Sequence, residues 1–175
     1  MITGCVPLAQ IYLHKRKKAT IIMDKTGQIS RNKSGVSNLA VDGLIYGLIS
    51  GAAMVLSLAA LALLSGETPG AYLEHFSAAG LTSPLQGLLS HLAVSAIYGV
   101  IFGALGWPVL VRFSSSKMIG WLGGVVYAIL LLILAQTAIL PGTGSPLAQL
   151  PIWQWALGHG VYGLVLGSLF ARKSA

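Results

Sequence analysis

The sequence predicts an all-α membrane protein: a bundle of four transmembrane helices, with a short outer interfacial helix between the first and the second. Of its 175 residues, 55% are hydrophobic and 9% are charged, whereas soluble domains carry about 25% charged residues. The mean hydropathy of +0.78 agrees. The apolar residues also gather into four runs, each long enough to cross a hydrocarbon layer of about 30 Å as a helix. The runs span residues 39–65, 84–111, 118–140 and 152–170.

Residues 1–38 precede the first run and are predicted to form a basic cytoplasmic arm. A secretory signal places basic residues before an apolar segment. Here the order is reversed, with VPLAQIYL before HKRKK. The basic cluster either sets the orientation of the chain or also binds anionic lipid head groups. Met23 is an alternative start. The arm holds seven of the eleven basic residues, namely Lys15, Arg16, Lys17, Lys18, Lys25, Arg31 and Lys33.

Asp42 is the charged residue of the first run. It could bind a proton or an ion, because a carboxylate inside a membrane is costly and is usually kept for function. Alternatively, it is a first-turn acid at the interface, stabilised by the helix dipole. Its position only a few residues into the run favours the second interpretation.

The connection 66–83 is predicted to contain a short helix that lies on the outer membrane surface. Thr68 suits the cap of this helix and Pro69 its first turn. Tyr72 and Phe76 are four residues apart, so they share one face of the helix.

Prolines mark helix ends in the later runs. Pro84 suits the first turn of the second run, and Trp107-Pro108 predicts a kink or an end near its far side. The third run is the most uniformly apolar, and we place Leu131 within it toward lipid. A short cytoplasmic tail, 172–175, follows the fourth run.

The eleven Lys and Arg residues occupy three segments: the arm, the turn 112–117 and the tail. With four spans, these segments fall on one side of the membrane, and loops rich in Lys and Arg stay in the cytoplasm. The prediction is a multi-pass membrane protein with both termini cytoplasmic. The net charge of +7 is then an orientation signal, so the lipid bilayer is an expected partner and nucleic acid is not. Aromatic residues expected at the interfaces are Tyr72, Trp153 and Trp155 outside, and Trp107 and Trp121 inside.

Glycines four residues apart recur in the pattern Tyr-Gly-x-x-x-Gly. At this spacing they share one helix face and let two helix backbones approach closely. We expect them to pack the helices together, or to face a second copy of the chain or a larger membrane complex. A histidine followed by this motif in the second and fourth runs suggests two related helical hairpins. The predicted packing glycines are Gly47, Gly51, Gly99, Gly103, Gly163 and Gly167, with Gly120 and Gly124 as a further pair.

Two histidines, His91 and His159, are predicted to face each other in the outer half of the bundle. They follow the prolines that open their runs by seven and eight residues, which gives them a similar depth. Tyr98 and Tyr162 share their faces. Neutral imidazoles can ligate haem or a transition metal, and a polar pocket between them suits a quinone. The alternative is that each histidine only hydrogen-bonds a neighbouring helix. Further polar residues expected in this pocket are Gln86, Gln136, Thr137 and Gln154.

The sequence shows no familiar catalytic pattern. A single cysteine, Cys5, excludes an internal disulfide or a C-x-x-C redox pair, and a lone carboxylate in the runs disfavours paired-carboxylate catalysis. Three functions stay open: a non-catalytic subunit or scaffold packed through its glycines, a binder of haem, metal or quinone through His91 and His159, and a small transporter acting as an oligomer. We prefer the first, because nothing in the runs demands chemistry.

The last run contains GHGVYGLVLG, that is GH-x-x-YG-x-x-x-G, over Gly158 to Gly167. In this motif the chain resembles uncharacterised small four-helix integral membrane proteins of prokaryotes, over about the last three runs. The resemblance implies a bacterial membrane location, and it carries over no activity and no functional residue.

Overall fold

The computed structural model describes residues 8–77, 83–113, 116–141 and 146–173, and only the backbone of residues 8–34, 146 and 149. This part of the chain is helical and contains no strand, so the all-α prediction is confirmed. Its α-helices are α1 (Leu8–Leu64), α2 (Pro69–Glu74), α3 (Pro84–Ile101), α4 (Trp107–Phe113), α5 (Lys117–Leu134) and α6 (Ile152–Lys173). Two π-helical turns, Phe102–Gly106 and Ala135–Ile139, and one 3-10 turn, Pro146–Gln149, complete the structure.

The chain divides into two compact units, residues 1–38 and 39–175. The basic side chains predicted to bind lipid in the first unit lie outside the described side chains. Helix α1 begins at Leu8, so the interpretation of Asp42 as a first-turn acid is wrong. Asp42 instead forms an ion pair with Lys173 near the end of α6. The carboxylate is therefore held by a partner that is distant in sequence.

Helix α2 is a short helix between the first two long ones, as predicted. The Thr68 hydroxyl caps it by accepting from the amide of Ala71 at 3.3 Å, and Pro69 occupies the first turn, where a missing N–H costs nothing. After the helix, the Ser77 hydroxyl donates to the carbonyl of Ser83 at 2.9 Å. This bond joins the segment after α2 to the start of α3.

The proline at position 108 does not end its helix. The backbone widens into the π-helical turn Phe102–Gly106 and then continues as α4 to Phe113. A proline ring clashes with the carbonyl four residues earlier in a regular α-helix, and a π turn relieves this clash. The second π turn, Ala135–Ile139, likewise lies just before Pro141.

Helices α1 and α3 meet along a glycine seam. A Cβ placed on Gly99 would lie against the carbonyl oxygen of Gly43 and 2.6 Å from the Cα of Gly47. A Cβ on Gly51 would lie 2.6 Å from the hydroxyl of Ser95. Side chains at these glycines would therefore push the two helices apart.

Helices α5 and α6 meet along a second glycine seam. A Cβ on Gly163 would lie against the carbonyl oxygen of Gly124 and 2.6 Å from the Cβ of Ala128. A Cβ on Gly167 would meet the carbonyl oxygen of Gly120 in the same way. Both seams join helices that run in opposite directions, so the chain contains two glycine-packed hairpins.

The two seams share one register. Gly103 of α3 and Gly167 of α6 would each place a Cβ against a carbonyl oxygen and 3.1 Å from the Cα of a glycine on the partner helix. The two Tyr-Gly-x-x-x-Gly motifs are therefore structurally equivalent. The histidines are not, because His91 precedes its motif tyrosine by seven residues and His159 by three.

Three helical segments are long and apolar enough to cross a membrane: Gly35–Leu64, Pro84–Phe113 and Lys117–Ile139. Helix α6 has 22 residues but is not among them, since it contains four glycines, a glutamine and a histidine. It is nevertheless a largely buried helix. Its buried residues are Trp155, Gly158, His159, Tyr162, Gly163, Leu166, Gly167, Phe170 and Ala171.

The placement of Leu131 toward lipid is wrong, because its side chain is only 6% exposed and belongs to the core. Its neighbours Leu130, Ile133 and Leu134 are exposed. In a uniformly apolar run, hydrophobicity does not distinguish side chains that face the core from side chains that face lipid. The sequence therefore could not show which way Leu131 points.

The expected aromatic interface residues divide into two groups. Trp121 and Trp153 are exposed, whereas Tyr72, Trp107 and Trp155 are buried in the helical core. Their burial shows that these three rings pack inside the protein, and the prediction that they lie at the depth of the membrane interfaces stays a prediction. Large rings fill space between helices as readily as they mark an interface.

Candidate ligand-binding cavity

A cavity of about 190 Å³ lies between α1, α3, α5 and α6. We call it the histidine cavity, because both predicted histidines line it. Tyr98 and Tyr162 line it as well, so the structure brings together all four residues that the sequence singled out for ligand binding. The lining residues are Met54, Phe76, Ser90, His91, Val94, Ser95, Tyr98, Leu131, Ala135, Ile139, Leu140, Leu147, Trp155, His159 and Tyr162.

His159 is held in place by its own helix. Its Nδ1 lies 2.9 Å from the carbonyl oxygen of Trp155, one turn earlier, and the two rings pack 5.5 Å apart. A carbonyl oxygen can only accept a hydrogen bond, so Nδ1 carries the proton. In the neutral ring, Nε2 is therefore an acceptor with a free lone pair.

His91 is held by two neighbours. Its Nε2 lies 3.4 Å from the hydroxyl of Ser95 on the same helix. The ring of Phe76 packs edge-on against the imidazole, with centroids 4.9 Å apart. His91 thus connects α3 to the segment that follows α2.

The hydroxyl groups of two tyrosines connect helices around the cavity. Tyr162 of α6 donates to the carbonyl of Ser95 at 2.9 Å. Tyr127 of α5 donates to the carbonyl of Tyr98 at 2.8 Å. Helix α3 therefore packs on α1 through its glycines and accepts hydrogen bonds from α5 and α6 through its carbonyls.

Helix α2 packs against α3, and the segment that follows it reaches the histidine cavity. Tyr72 is buried and its hydroxyl donates to Oε1 of Gln154 at 3.1 Å. Burial raises the pKa of the Tyr72 phenol, and the Glu67 carboxylate adds to this effect, so the phenol stays protonated as a donor. Phe76, one turn later, reaches the lining itself.

The described lining contains no Asp, Glu, Lys or Arg. Among the described residues there is also no group of three or more His, Cys, Asp or Glu side chains that could hold a metal ion. A transition-metal site normally uses three or four protein ligands, so two imidazoles alone provide an incomplete set.

The cavity volume bears on a haem group. Pockets for drug-sized ligands measure about 300–1,000 Å³, and a haem is at the upper end of that class. A cavity of about 190 Å³ is smaller. The described cavity is therefore too small to enclose a whole haem.

The four additional polar residues expected in this pocket do not belong to its described lining. Gln154 is bonded to Tyr72, and the Thr137 hydroxyl donates to the carbonyl of Ile133 on its own helix. Gln86 and Gln136 are also absent from the lining. Their expected position in the pocket is therefore wrong, because equal depth along a helix does not fix the direction of a side chain.

Sequence reasoning missed most of the apolar walls of the cavity. Trp155 was assigned to an interface and Leu131 to lipid, and Met54 was not considered. The predicted shared face of Tyr72 and Phe76 was the one available signal for this part of the wall, although the sequence placed that face on the membrane surface.

Comparisons of the chain with protein-family models, curated proteins and solved structures find no match.

Proposed function

We propose that the chain is a non-catalytic, multi-pass membrane protein that binds a small molecule in the histidine cavity. It crosses a bacterial inner membrane four times, through α1, through α3 with α4, through α5 and through α6. Both termini are cytoplasmic. The observation that carries the binding role is the convergence of His91, Ser95, Tyr98, His159 and Tyr162 on one largely apolar cavity.

Membrane insertion is supported by the outer surfaces of the long helices. Large apolar side chains are exposed along α1, α3, α5 and α6, for example Leu56, Ile97 and Ile129. Contact of these apolar surfaces with water is unfavourable in free energy, whereas contact with lipid tails is not. Helix α6 can serve as the fourth span despite its polar residues, because His159 and three of its four glycines are buried in the protein.

The topology is tested with single cysteines in a Cys5→Ser background. Glu67 and Ser116 are exposed residues at opposite ends of the bundle. We expect Glu67→Cys to react with an impermeant thiol reagent in intact cells, and Ser116→Cys to react only after the membrane is opened. Labelling of Ser116→Cys alone in intact cells would contradict the proposed orientation.

A role as a scaffold through the glycine seams has less support than the sequence suggested. Gly47, Gly51, Gly99, Gly103, Gly163 and Gly167 all contact other helices of the same chain. These glycines are covered by other helices of the same chain, so they are not available for contact with a partner protein. A transporter has little support as well, since the described cavity lining holds no carboxylate and Asp42 is paired with Lys173.

A subunit role stays a second candidate because of another feature. An apolar groove of about 530 Å³ lies between α3–α4 and α5, with Gly106 and Gly123 in its floor. Small residues in a lipid-facing groove admit a helix of a second chain. The molecular mass of the purified protein in detergent tests this role: a single-chain mass for the wild type would argue against a self-associating subunit.

Ligand binding is tested with para-fluorotoluene, a small neutral ring, observed by fluorine NMR. The control is Ala135→Leu, which places a larger side chain in the cavity wall. We expect a saturable shift of the fluorine resonance with the wild-type protein in detergent and none with the variant. Micelles are present in both samples, so partitioning of the probe into them cannot cause a difference. Identical titrations would contradict the binding role.

A further inference from the structure

We infer that the histidine cavity takes a neutral, single-ring compound that carries a hydroxyl group, of the phenol or quinol class, with the hydroxyl donating to Nε2 of His159. The inference rests on the proposed binding function and adds the chemical class of the ligand.

The size of the cavity selects a single ring. An apolar cavity of about 150 Å³ in a well-studied soluble protein is large enough to bind benzene. The histidine cavity, at about 190 Å³, has room for one ring with small substituents. Larger fused-ring systems exceed it.

The absence of charge in the described lining selects a neutral ligand. A cation would need a carboxylate and an anion would need a Lys or Arg, because a buried charge without a partner is strongly destabilised. The described lining offers neither. A phenol meets this condition, since phenolic groups have a pKa of about 10 and stay neutral near pH 7.

The walls favour a planar ligand over a branched aliphatic one. Aromatic rings of Phe76, from the segment after α2, and of Trp155 and Tyr162, from α6, contribute to the lining. Aromatic pairs in stacked or edge-to-face contact gain about 0.5–1.5 kcal/mol beyond the burial of their area. A ring placed among these side chains can make such contacts on more than one side.

His159 supplies the polar recognition. Because its Nδ1–H donates a hydrogen bond to the Trp155 carbonyl, its Nε2 is an acceptor and requires a hydrogen-bond donor on the ligand. In the described part of the chain, no hydrogen bond to Nε2 is found, and every fully buried side-chain nitrogen or oxygen has a hydrogen-bond partner. Nε2 is therefore not fully buried, and a small molecule in the cavity can reach it. His91, by contrast, already contacts Ser95.

The test compares para-fluorophenol with para-fluorotoluene, which replaces the hydroxyl by a methyl group of similar size. We expect the wild-type protein to bind the phenol about 3- to 10-fold more tightly, which is the usual effect of one added hydrogen bond. His159→Phe should reduce this preference to about 1 while it keeps the toluene bound. The matched control, His75→Phe, changes a histidine outside the cavity lining and should retain the preference.

Retained binding of para-fluorotoluene shows that a variant still has an intact cavity. A second measurement needs no variant: the Nε2 resonance of His159 in nitrogen-15-labelled wild-type protein should move when para-fluorophenol is added. Equal affinities of the wild type for the two probes, or an unmoved Nε2 resonance, would overturn the hydroxyl assignment and leave ligand binding standing. Failure of both probes to bind would instead overturn the proposed function.

Discussion

The two ends of α6 pack against the same helices, but side chains fill the space at one end and leave a cavity at the other. Toward its C-terminal end lies an aromatic cluster formed by Tyr46, Phe102, Trp107, Tyr127 and Phe170. Phe170 is fully buried and packs against three of these rings, with centroids 5.0 to 5.4 Å away. Toward the N-terminal end, His159 and Trp155 leave a cavity of about 190 Å³.

The difference shows that the glycine seams set the distance between helices but not the packing beside them. Both hairpins keep the same register along their seams. Next to the seam, the rings around Phe170 pack against one another at one end of the protein. At the other end, the side chains around His91, Ser95 and His159 leave space between them, although large rings such as Trp155 and Tyr162 are also present there. A cavity therefore forms where the side chains that flank the seam do not fill the available space.

The largest expected effect comes from making the same substitution at both ends. Phe170→Ala should lower the free energy of unfolding by roughly 3 kcal/mol, because it opens a cavity in a filled region. Phe76→Ala should cost less than half as much, since Phe76 is partly exposed and already borders a cavity. Unfolding in mixed micelles, followed by circular dichroism, measures both. Equal costs would remove the distinction between a filled end and an open one.

A second pair of substitutions tests the seam itself, within α6. Gly163→Ala should lower the free energy of unfolding by about 2 kcal/mol, because the new methyl group meets the α5 backbone and Ala128. Gly160→Ala is the control, since a Cβ there meets nothing within 4 Å. Alanine favours a helix over glycine, so this control should be neutral or stabilising by up to about 1 kcal/mol. The same unfolding assay applies, and two equal results would contradict the seam.

The smallest expected effect concerns the hydrogen bonds around the histidine cavity. Tyr162→Phe removes the bond to the Ser95 carbonyl and should cost about 0.6 kcal/mol, the average for such bonds between membrane helices. Tyr98→Phe should cost nothing measurable in the ligand-free protein, because no bond of its hydroxyl is found in the described part of the chain. A larger loss in the free energy of unfolding for Tyr98→Phe would mean that the Tyr98 hydroxyl stabilises the end of the protein that contains the histidine cavity.

Much of the candidate site was accessible to sequence reasoning because glycine spacing has a direct geometric meaning. Residues four apart share a helix face, so His91 and Tyr98 could be assigned to one side of α3, and His159 and Tyr162 to one side of α6. The structure places all four on the histidine cavity. The same reasoning misplaced Gln86 and Gln136, which have the expected depth but lie outside the described lining.

The sequence by itself determined the helical character, the approximate limits of the long helices after α1 and the contact faces of the glycines. These properties follow from composition, from proline and capping residues, and from spacing along a single helix. The cap of α2 by Thr68 is of this kind, because its two partners lie three residues apart.

Only the tertiary structure decided which apolar and aromatic side chains are interior. Leu131, Trp107 and Trp155 are buried, but an apolar side chain gains nearly the same from lipid as from a protein core, so hydrophobicity does not separate the two. The pairing of Asp42 with Lys173 and the closing of the cavity by Phe76 also join residues from separate elements. Their positions depend on how the helices pack together, which no spacing along one helix specifies.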